Sequence, residues 1–542
     1  MKLIKMKTML KLVLPCSCSR NSVMKPNAQN FKLTMVAILL IAGGIAAHGA
    51  IRYVSPTGND ANSGTSWAAA KLTVQAAVAV AVIGDTVLVT NGVYALTSPI
   101  NITNVIVLNS VNGSSVTILD GQQAARCVLI NGFAATVNGF TLRNGRAVNG
   151  GGVYCNGGTI QNCVLTGNKA MGNNVNDGSG GGAYMAYGTL SNCVAYANIA
   201  QSTNSYQNAW GGGVYSYGSV MQSCVVSNNQ CTADYANGGG IVLVGGTLRN
   251  SRVTGNSAVA LSYASGGGAY ATILQLSVPS FIEACLITNN SVTTTDTYAY
   301  TAANAQGGGM YIGNGTTVRS TLVTGNIAHS VAGFTTGGGV WTSGSILENC
   351  TVAYNTATTQ NGNLGSGGGV NWGYNDQGYN NIIKFNSAGN GPDNWEVNQF
   401  SYPIFVNSDI GIYVPSTNTL NCISADPLFV NAPAGDFHLQ TASPCRNTGT
   451  NDTWMAGAQD LDGKSRIAES IVDMGAFEVL LQPQLTIIRS AANVILMWPT
   501  NATGFTLQST TNLVSPVWTT VNGQNAVTNP IFGTQKFYRL SQ

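Results

Sequence analysis

Charge is scarce in this chain: of 542 residues only 8% are Asp, Glu, Lys or Arg, and three are His. Sparse charge leaves few candidates for acid–base or metal chemistry. After residue 50 only His329 and His438 remain, and no recognisable motif sets a Ser or Cys beside either. No Gly-Gly-x-Gly-x-Asp calcium nonapeptide, phosphate loop or zinc-ligand spacing occurs, so no metal or cofactor is expected. Asp460-x-Asp462-Gly463 begins like a calcium loop but lacks the later ligands. Helix-period apolar stripes are also missing, which excludes helical solenoids. Hydrophobic residues still make up 44%, enough for a packed core and against disorder.

One long apolar run is present. A basic stretch, Lys25 to Lys32, precedes the apolar segment Leu33 to Ala47 and the small residues Gly49 and Ala50, the order of an export signal. Gly43 and Gly44 interrupt that segment, which is short for a membrane anchor. Residues 1–50 read as a signal with an over-long start, Met24 being a more ordinary beginning, and the chain ends without an apolar tail. Seven of the 23 bases fall in those 50 residues and no acid does. The remainder therefore carries 16 bases against 20 acids, a net charge of −4, which removes the electrostatic case for nucleic acid. The expected location is secreted or cell-surface, with no membrane span after signal removal.

What the chain has in abundance is glycine, 66 residues, and eight Gly-Gly-Gly triplets open at Gly150, Gly180, Gly211, Gly238, Gly266, Gly307, Gly337 and Gly367. Successive starts lie 30, 31, 27, 28, 41, 30 and 30 residues apart. A period of this size marks units that stack because none can bury its apolar face alone. Each triplet is followed by an apolar residue and usually an aromatic, then a short stretch such as Thr159 to Cys163, then an apolar residue three before an Asn. Alternation puts Cys163 and Leu165 on one face, so the units are short strands with one buried side. Three such strands per unit predict an all-β fold, a right-handed parallel β-helix whose coils repeat at ~4.8 Å. Between each Asn and the next triplet a polar loop of variable length is expected.

Asn168, Asn198, Asn229, Asn256, Asn290, Asn326, Asn355 and Asn386 share one repeat position and read as a structural ladder. Asn tolerates the left-handed backbone of a sharp corner, and stacked amides can bond along the axis. Cys163, Cys193, Cys224, Cys285 and Cys350 share another, filled elsewhere by Ser251, Thr321 and Asn381, which favours buried thiols over disulfides. The pairing of Gly-Gly-X-aromatic with apolar-x-x-Asn over Gly150 to about Asn386 resembles the repeats of polymorphic outer membrane proteins, secreted adhesin-like β-helices, with Val, Ile or Leu where that family favours Phe.

The flanks carry two further resemblances. Tyr53 to Asp60, the Ala-rich segment Val74 to Val82, and Gly84 to Val89 resemble the opening of pectate-lyase-like β-helices, which implies a short helix closing the coil. Ala425 to Val430, Ser443-Pro444-Cys445, Asp460 to Gly463 and Asp473 to Glu478 resemble the choice-of-anchor type Q segment. Runs at Leu485 to Ile487, Val494 to Trp498, Phe505 to Leu507 and Lys536 to Leu540 read as a small β-sandwich, fibronectin-III-like. The expected organisation is 1–50 signal, 51–145 cap and first coils, 146–400 triplet array, 401–480 last coils and anchor-like segment, and 484–542 sandwich module.

For function, Tyr154, Tyr184, Tyr215, Tyr270, Tyr311 and Trp341 follow the inward apolar residue and point outward in a column that Val242 interrupts. Such rings can stack on sugars, or can stack on each other and cover the sheet. The acids Asp177, Asp234, Glu283, Asp296, Glu348 and Asp376 look scattered, and Arg249, Arg252 and Arg319 look like solvated strand-edge charges. The first expectation is a non-catalytic adhesin or glycan-binding scaffold. The alternatives are a polysaccharide lyase or glycoside hydrolase, and a structural spacer. Two or more acids and an Arg converging in a groove would favour the enzyme.

Overall fold

The computed structural model describes residues 49–541, except 132–133, 174, 274–277, 298–302, 361–364, 390, 398–400, 412–417, 481–482, 500–504, 524 and 532–534. The expected export signal, save Gly49 and Ala50, and the loop residue Tyr298 lie outside the described residues.

In the first triplet coil the chain runs through four strands, Val153–Asn156, Thr159–Gln161, Val164–Thr166 and Lys169–Met171, and returns through a fifth, Gly178–Ser179. Each pairs in parallel with its counterpart one coil on: Val153 with Ala183, Ile160 with Leu190, Leu165 with Ala195, Ala170 with Ala200. The fold is a right-handed parallel β-helix, the hand that parallel crossovers take. First and second strands build one long sheet, third strands a second sheet, and fourth and fifth strands a third. Val153, Ile160, Cys163, Leu165 and their equivalents fill the main core. At the N-terminal end the helix Val74–Val80, capped by Thr73, buries Val74, Ala77 and Val78 against the opening strands.

The three glycines of a triplet answer three different demands. Gly150 has φ +61°, a left-handed turn; a Cβ on Gly151 would stand 2.4 Å from the Lys169 carbonyl oxygen; one on Gly152 would stand 2.8 Å from Nδ2 of Asn168. The triplet therefore lets neighbouring backbones close on one another, with a carbonyl of the next coil 2.6 Å from a Cβ on Gly152, and its third glycine also makes room for the asparagine column. All eight column residues are buried. The Asn229 side-chain oxygen accepts from both N and Nδ2 of Asn198, at 3.0 and 2.9 Å, while Asn198 Nδ2 also donates to the Leu165 carbonyl of the preceding coil at 2.9 Å. Each amide thus ties three coils together, and the pattern repeats down to Asn386, where Asn394 ends it. The left-handed corner, expected at these asparagines, falls one residue earlier: Gly167, Ala197, Asn228, Gly255, Asn289, Gly325, Tyr354 and Phe385 carry the positive φ. Turning the chain there aims the following amide inward, where burial demands its full set of hydrogen bonds.

The cysteine position is explained the same way. Cys163 N donates to Cys193 Sγ, Cys224 N to Ser251 Oγ, Cys285 N to Thr321 Oγ1 and Cys350 N to Asn381 Oδ1, so the slot requires a small side chain that can accept a backbone N–H. The five cysteines of this slot are free thiols, all of them buried. Burial pushes the thiols of Cys285 and Cys350 up to about 12, outside the range of reactive thiolates.

The stretch between the corner Asn and the next triplet, expected as a polar loop, is β structure. Its fourth and fifth strands run on as single strands in Gln230–Asn237 and Ser257–Ser265. Ala170, Ala200, Cys231, Ala258, Val292 and Ala328 meet Ala209, Ala236, Ala264 and Ala305 in a second, thin core. Alanine is small enough for the two layers to close, and its alternation with Gln, Ser and Thr hides the pattern inside a polar composition.

Beyond the last coils, Phe429, Phe437, Leu439, Met474 and Phe477 pack on the outer faces of Leu322 and Ile382 of the third strands. Arg466 and Glu478, both buried, lock this segment through an ion pair of 2.6 Å. Asn349 Nδ2 donates to the Asp473 carbonyl and Ala476 N to Thr351 Oγ1, fastening it to the coils. The C-terminal module is two three-stranded antiparallel sheets sharing Leu496, Trp498 and Leu507. No described helix is long and apolar enough to cross a membrane.

Candidate functional site

The outward position at the end of the second strand forms one continuous column. Successive register partners are Asn109, Asn138, Gln161, Ser191, Gln222, Arg249, Glu283, Arg319, Glu348 and Tyr379. From Asn109 to Gln222 the column is uncharged; from Arg249 to Glu348 its charges alternate. Coil stacking alone places these side chains in line, ~4.8 Å apart.

The charged half is a groove, because residues 450–459 of the C-terminal segment form its other wall. Thr450 N donates to Asn380 Oδ1 at 2.8 Å and Asn380 Nδ2 to the Thr450 carbonyl at 2.9 Å, holding that wall to the coils. A cavity of about 330 Å³ lies among Arg249, Glu283, Arg319 and Trp454, and another of about 450 Å³ among Glu348, Tyr379, Asp452 and Met455. The Arg319 guanidinium, 4.6 Å from the Trp454 ring, stands between them. Its Nε pairs with Glu348 Oε2 at 2.6 Å and its Nη1 reaches Glu283 Oε1 at 3.7 Å. Burial raises the Glu348 carboxyl by more than Arg319 lowers it, and the Asp452 charge adds to the rise, so Glu348 sits above the ordinary carboxylate value. A protonatable carboxyl, an arginine and a facing carboxylate thus converge beside an indole, the combination looked for in an enzyme groove.

The aromatic column is built differently. Tyr154, Tyr184 and Tyr215 stack with centroids 5.0 and 4.8 Å apart, and Tyr270, Tyr311 and Trp341 with centroids 4.7 and 4.3 Å apart. Trp210 meets Tyr270 edge-on at 5.8 Å, and Arg126 lies 5.3 Å over Tyr154. The coil repeat nearly equals the stacking distance, so the rings occupy one another's faces and turn their edges to solvent.

The acids that looked scattered divide by role. Asp177 accepts from Asn208 and from Trp210 Nε1, Asp234 from Tyr206 and Ser262, and Asp376 from Ser345 and Gly373, all fixing loops or turns. Glu283 and Glu348 flank Arg319. The Asp460 carboxylate accepts from Asp462, Lys464 and Glu478 backbone N–H groups, which explains the calcium-like spacing as a turn. Among the described residues no group of three or more His, Cys, Asp or Glu is arranged to hold a metal ion.

His438, isolated in the sequence, is not isolated in space: Nδ1 lies 2.6 Å from Asp436 and Nε2 2.6 Å from Asp462. Burial lowers its pKa, but hydrogen bonds to the two carboxylates outweigh that and leave it above 6.5. Burial raises both aspartates, but His438 lowers Asp436, and Lys464 followed by His438 lowers Asp462, by more, so both end below 3.8. The histidine's contribution to stability is complete below pH 6.5 and fades as pH rises through its raised value; the aspartates' contribution fades only as pH falls below 3.8. His438→Gln should therefore lower the melting temperature at pH 5 and converge with the parent at alkaline pH, as melting curves across pH will read.

No protein-family model matches this sequence, and no curated protein matches it. Among solved structures it is similar to a rhamnogalacturonan lyase, at 16% identity over 72% of this chain and 97% of that one, TM-score 0.37. It is also similar to XylC in complex with xylose, at 10% identity over 90% and 100% of the two chains, TM-score 0.31. A third is the PL6-family alginate lyase AlyGC, at 11% identity over 72% and 56%, TM-score 0.28.

Two features of the groove escape a sequence reading. Asp452 and Trp454 arrive from a segment more than 100 residues beyond Arg319 and Glu348, and no periodicity links them. The other half was signalled: Arg249, Glu283, Arg319 and Glu348 each stand two residues before the cysteine slot. The reading of Glu283 and Glu348 as scattered acids is corrected by that register.

Proposed function

We propose that the protein cleaves a polysaccharide, held along the second-strand column with the scissile bond beneath residues 450–459. Glu348 donates the proton to the leaving oxygen, and Asp452, on the opposite wall, activates water. Glycosidic hydrolysis uses a pair of carboxyls across the scissile bond, one as acid and one as base. Arg319 fixes the Glu348 rotamer, and Trp454 offers an apolar surface to a sugar ring. The observation that carries this reading is the convergence of Glu348, Arg319, Asp452 and Trp454 on one groove. The expected export signal would place the activity outside the cell.

The second reading is a non-catalytic glycan-binding scaffold at the cell surface. It draws on the mutual neutralisation of Glu283, Arg319 and Glu348, which an inert charge ladder would also show.

The test is a panel of neutral and acidic polysaccharides incubated with the chain from residue 51, with reducing ends and unsaturated products measured. Reducing ends should appear and fall by roughly 100-fold or more in Glu348→Gln, with binding retained. Unsaturated products would reassign the reaction to elimination. Binding with no cleavage of any polymer would leave the scaffold.

A further inference from the structure

The uncharged half of the column has a feature that the cleavage chemistry leaves unused. Asn138 Nδ2 donates to Asn109 Oδ1 at 2.5 Å, Asn162 Nδ2 to Asn138 Oδ1 at 2.7 Å, and Asn192 Nδ2 to Asn162 Oδ1 at 2.5 Å. Unlike the buried asparagines, this second ladder lies at the surface: Asn162 and Asn192 are exposed and Asn109 and Asn138 half-buried. It borders an open groove of about 570 Å³, whose lining includes Val164 and Val194 and no charged residue.

The chemistry of the ladder is specific. A carboxamide offers two N–H donors and two acceptor lone pairs, and one bond to each neighbour leaves a donor and an acceptor free at each rung. The rungs repeat with the coil, ~4.8 Å apart, close to the length of one pyranose unit in an extended chain. Half-buried valines beside them give the C–H face of a sugar an apolar floor. Asn109 and Asn138 are the first rungs of the column that ends in the charged groove, and Asn162 and Asn192 stand one residue past its Gln161 and Ser191, so the ladder runs beside the column. A single extended polymer can therefore follow both without turning.

We propose that Asn109, Asn138, Asn162 and Asn192 form a distal subsite that binds an uncharged stretch of a linear polysaccharide through its hydroxyl groups, setting the substrate class as a long polymer rather than a short oligosaccharide. The polymer's identity as substrate rests on the proposed cleavage; its binding does not. The ladder supplies affinity and register, while the charged groove supplies chemistry.

The test uses the full exported chain with linear xylan, mannan, galactan and glucan fractions of graded length, binding being read by calorimetry in the Glu348→Gln background. Affinity should rise with chain length for at least one polymer. Asn162→Ala/Asn192→Ala should weaken it roughly tenfold, a few hydrogen bonds' worth, while short oligomers bind the double variant unchanged. Val194→Glu, which leaves the amides in place and charges the floor, should weaken long-chain binding as well; melting curves confirm that both variants are folded. Unchanged long-chain affinity in both variants, or no binding of any of these polymers, overturns the subsite. Binding that depends on the ladder in a protein that cleaves nothing would uphold the subsite and reject the cleavage.

Discussion

Asn290→Ala should destabilise the protein by about 3 kcal/mol, a large effect for a single side chain. Asn290 Oδ1 accepts from the N and Nδ2 of Asn256, and its Nδ2 donates to the Val253 carbonyl and to Asn326 Oδ1. Removing the amide leaves the buried Asn256 N–H without its acceptor and takes one bond each from Asn256 Nδ2, Asn326 Oδ1 and the Val253 carbonyl, while Asn256 Nδ2 keeps the Val226 carbonyl and Asn326 Oδ1 keeps the residue-290 backbone N–H; an unsatisfied buried group costs about 1–3 kcal/mol. Gly268, whose added Cβ would touch Nδ2 of the same Asn at 2.8 Å, cannot move in to help, because its backbone is already bonded to the next coil. Urea unfolding followed by circular dichroism will read the loss. A shift below about 1 kcal/mol would mean that the ladder is dispensable. The exposed Asn162 offers the contrast: its replacement by alanine should cost only about 1 kcal/mol, the strain of alanine at its φ of 53°, since water can satisfy the hydrogen bonds it leaves.

Glu478→Gln should cost about 3–5 kcal/mol and release the C-terminal segment, because it leaves the Arg466 charge buried and without its counter-ion. Arg466 is fully buried, its Nη2 bonds Glu478 and the Asp473 and Gly475 carbonyls, and the buried Asp473 carboxylate, which also acts on its charge, makes no hydrogen bond to it that could replace Glu478 among the described residues. Limited proteolysis should cut between residues 428 and 478 in the variant and not in the parent. Arg466→Met/Glu478→Leu, which removes both charges, should recover most of the loss. Since residues 450–459 wall the groove, cleavage should fall in step with the loosening.

The contrast between these sites says what a sequence can disclose. The triplet period revealed the coil, and the shared Asn and Cys positions were visible as columns, because a solenoid repeats its structural demands at fixed intervals. The reason for the glycines was not visible: it lies in the contacts of Gly152 with a carbonyl of the next coil and with Asn168 across a corner, which only closed coils create. The fourth and fifth strands were missed because alanine is a weak hydrophobic signal among polar neighbours. The groove was half legible, through the slot two before each cysteine, and half hidden, since Asp452 reaches Glu348 only when the Arg466–Glu478 lock folds the C-terminal segment back. His438 shows the same limit, its carboxylate partner Asp462 being brought in by a turn that Asp460 holds.

The most direct measurement is a crystal structure of Glu348→Gln with a bound oligosaccharide from whichever polymer binds. Density for sugar rings along the Arg249 to Tyr379 column, with one ring against Trp454 and a glycosidic oxygen facing residue 348, is the predicted result. Density on the edges of the Tyr154 to Trp341 column instead, with the groove empty, would contradict it.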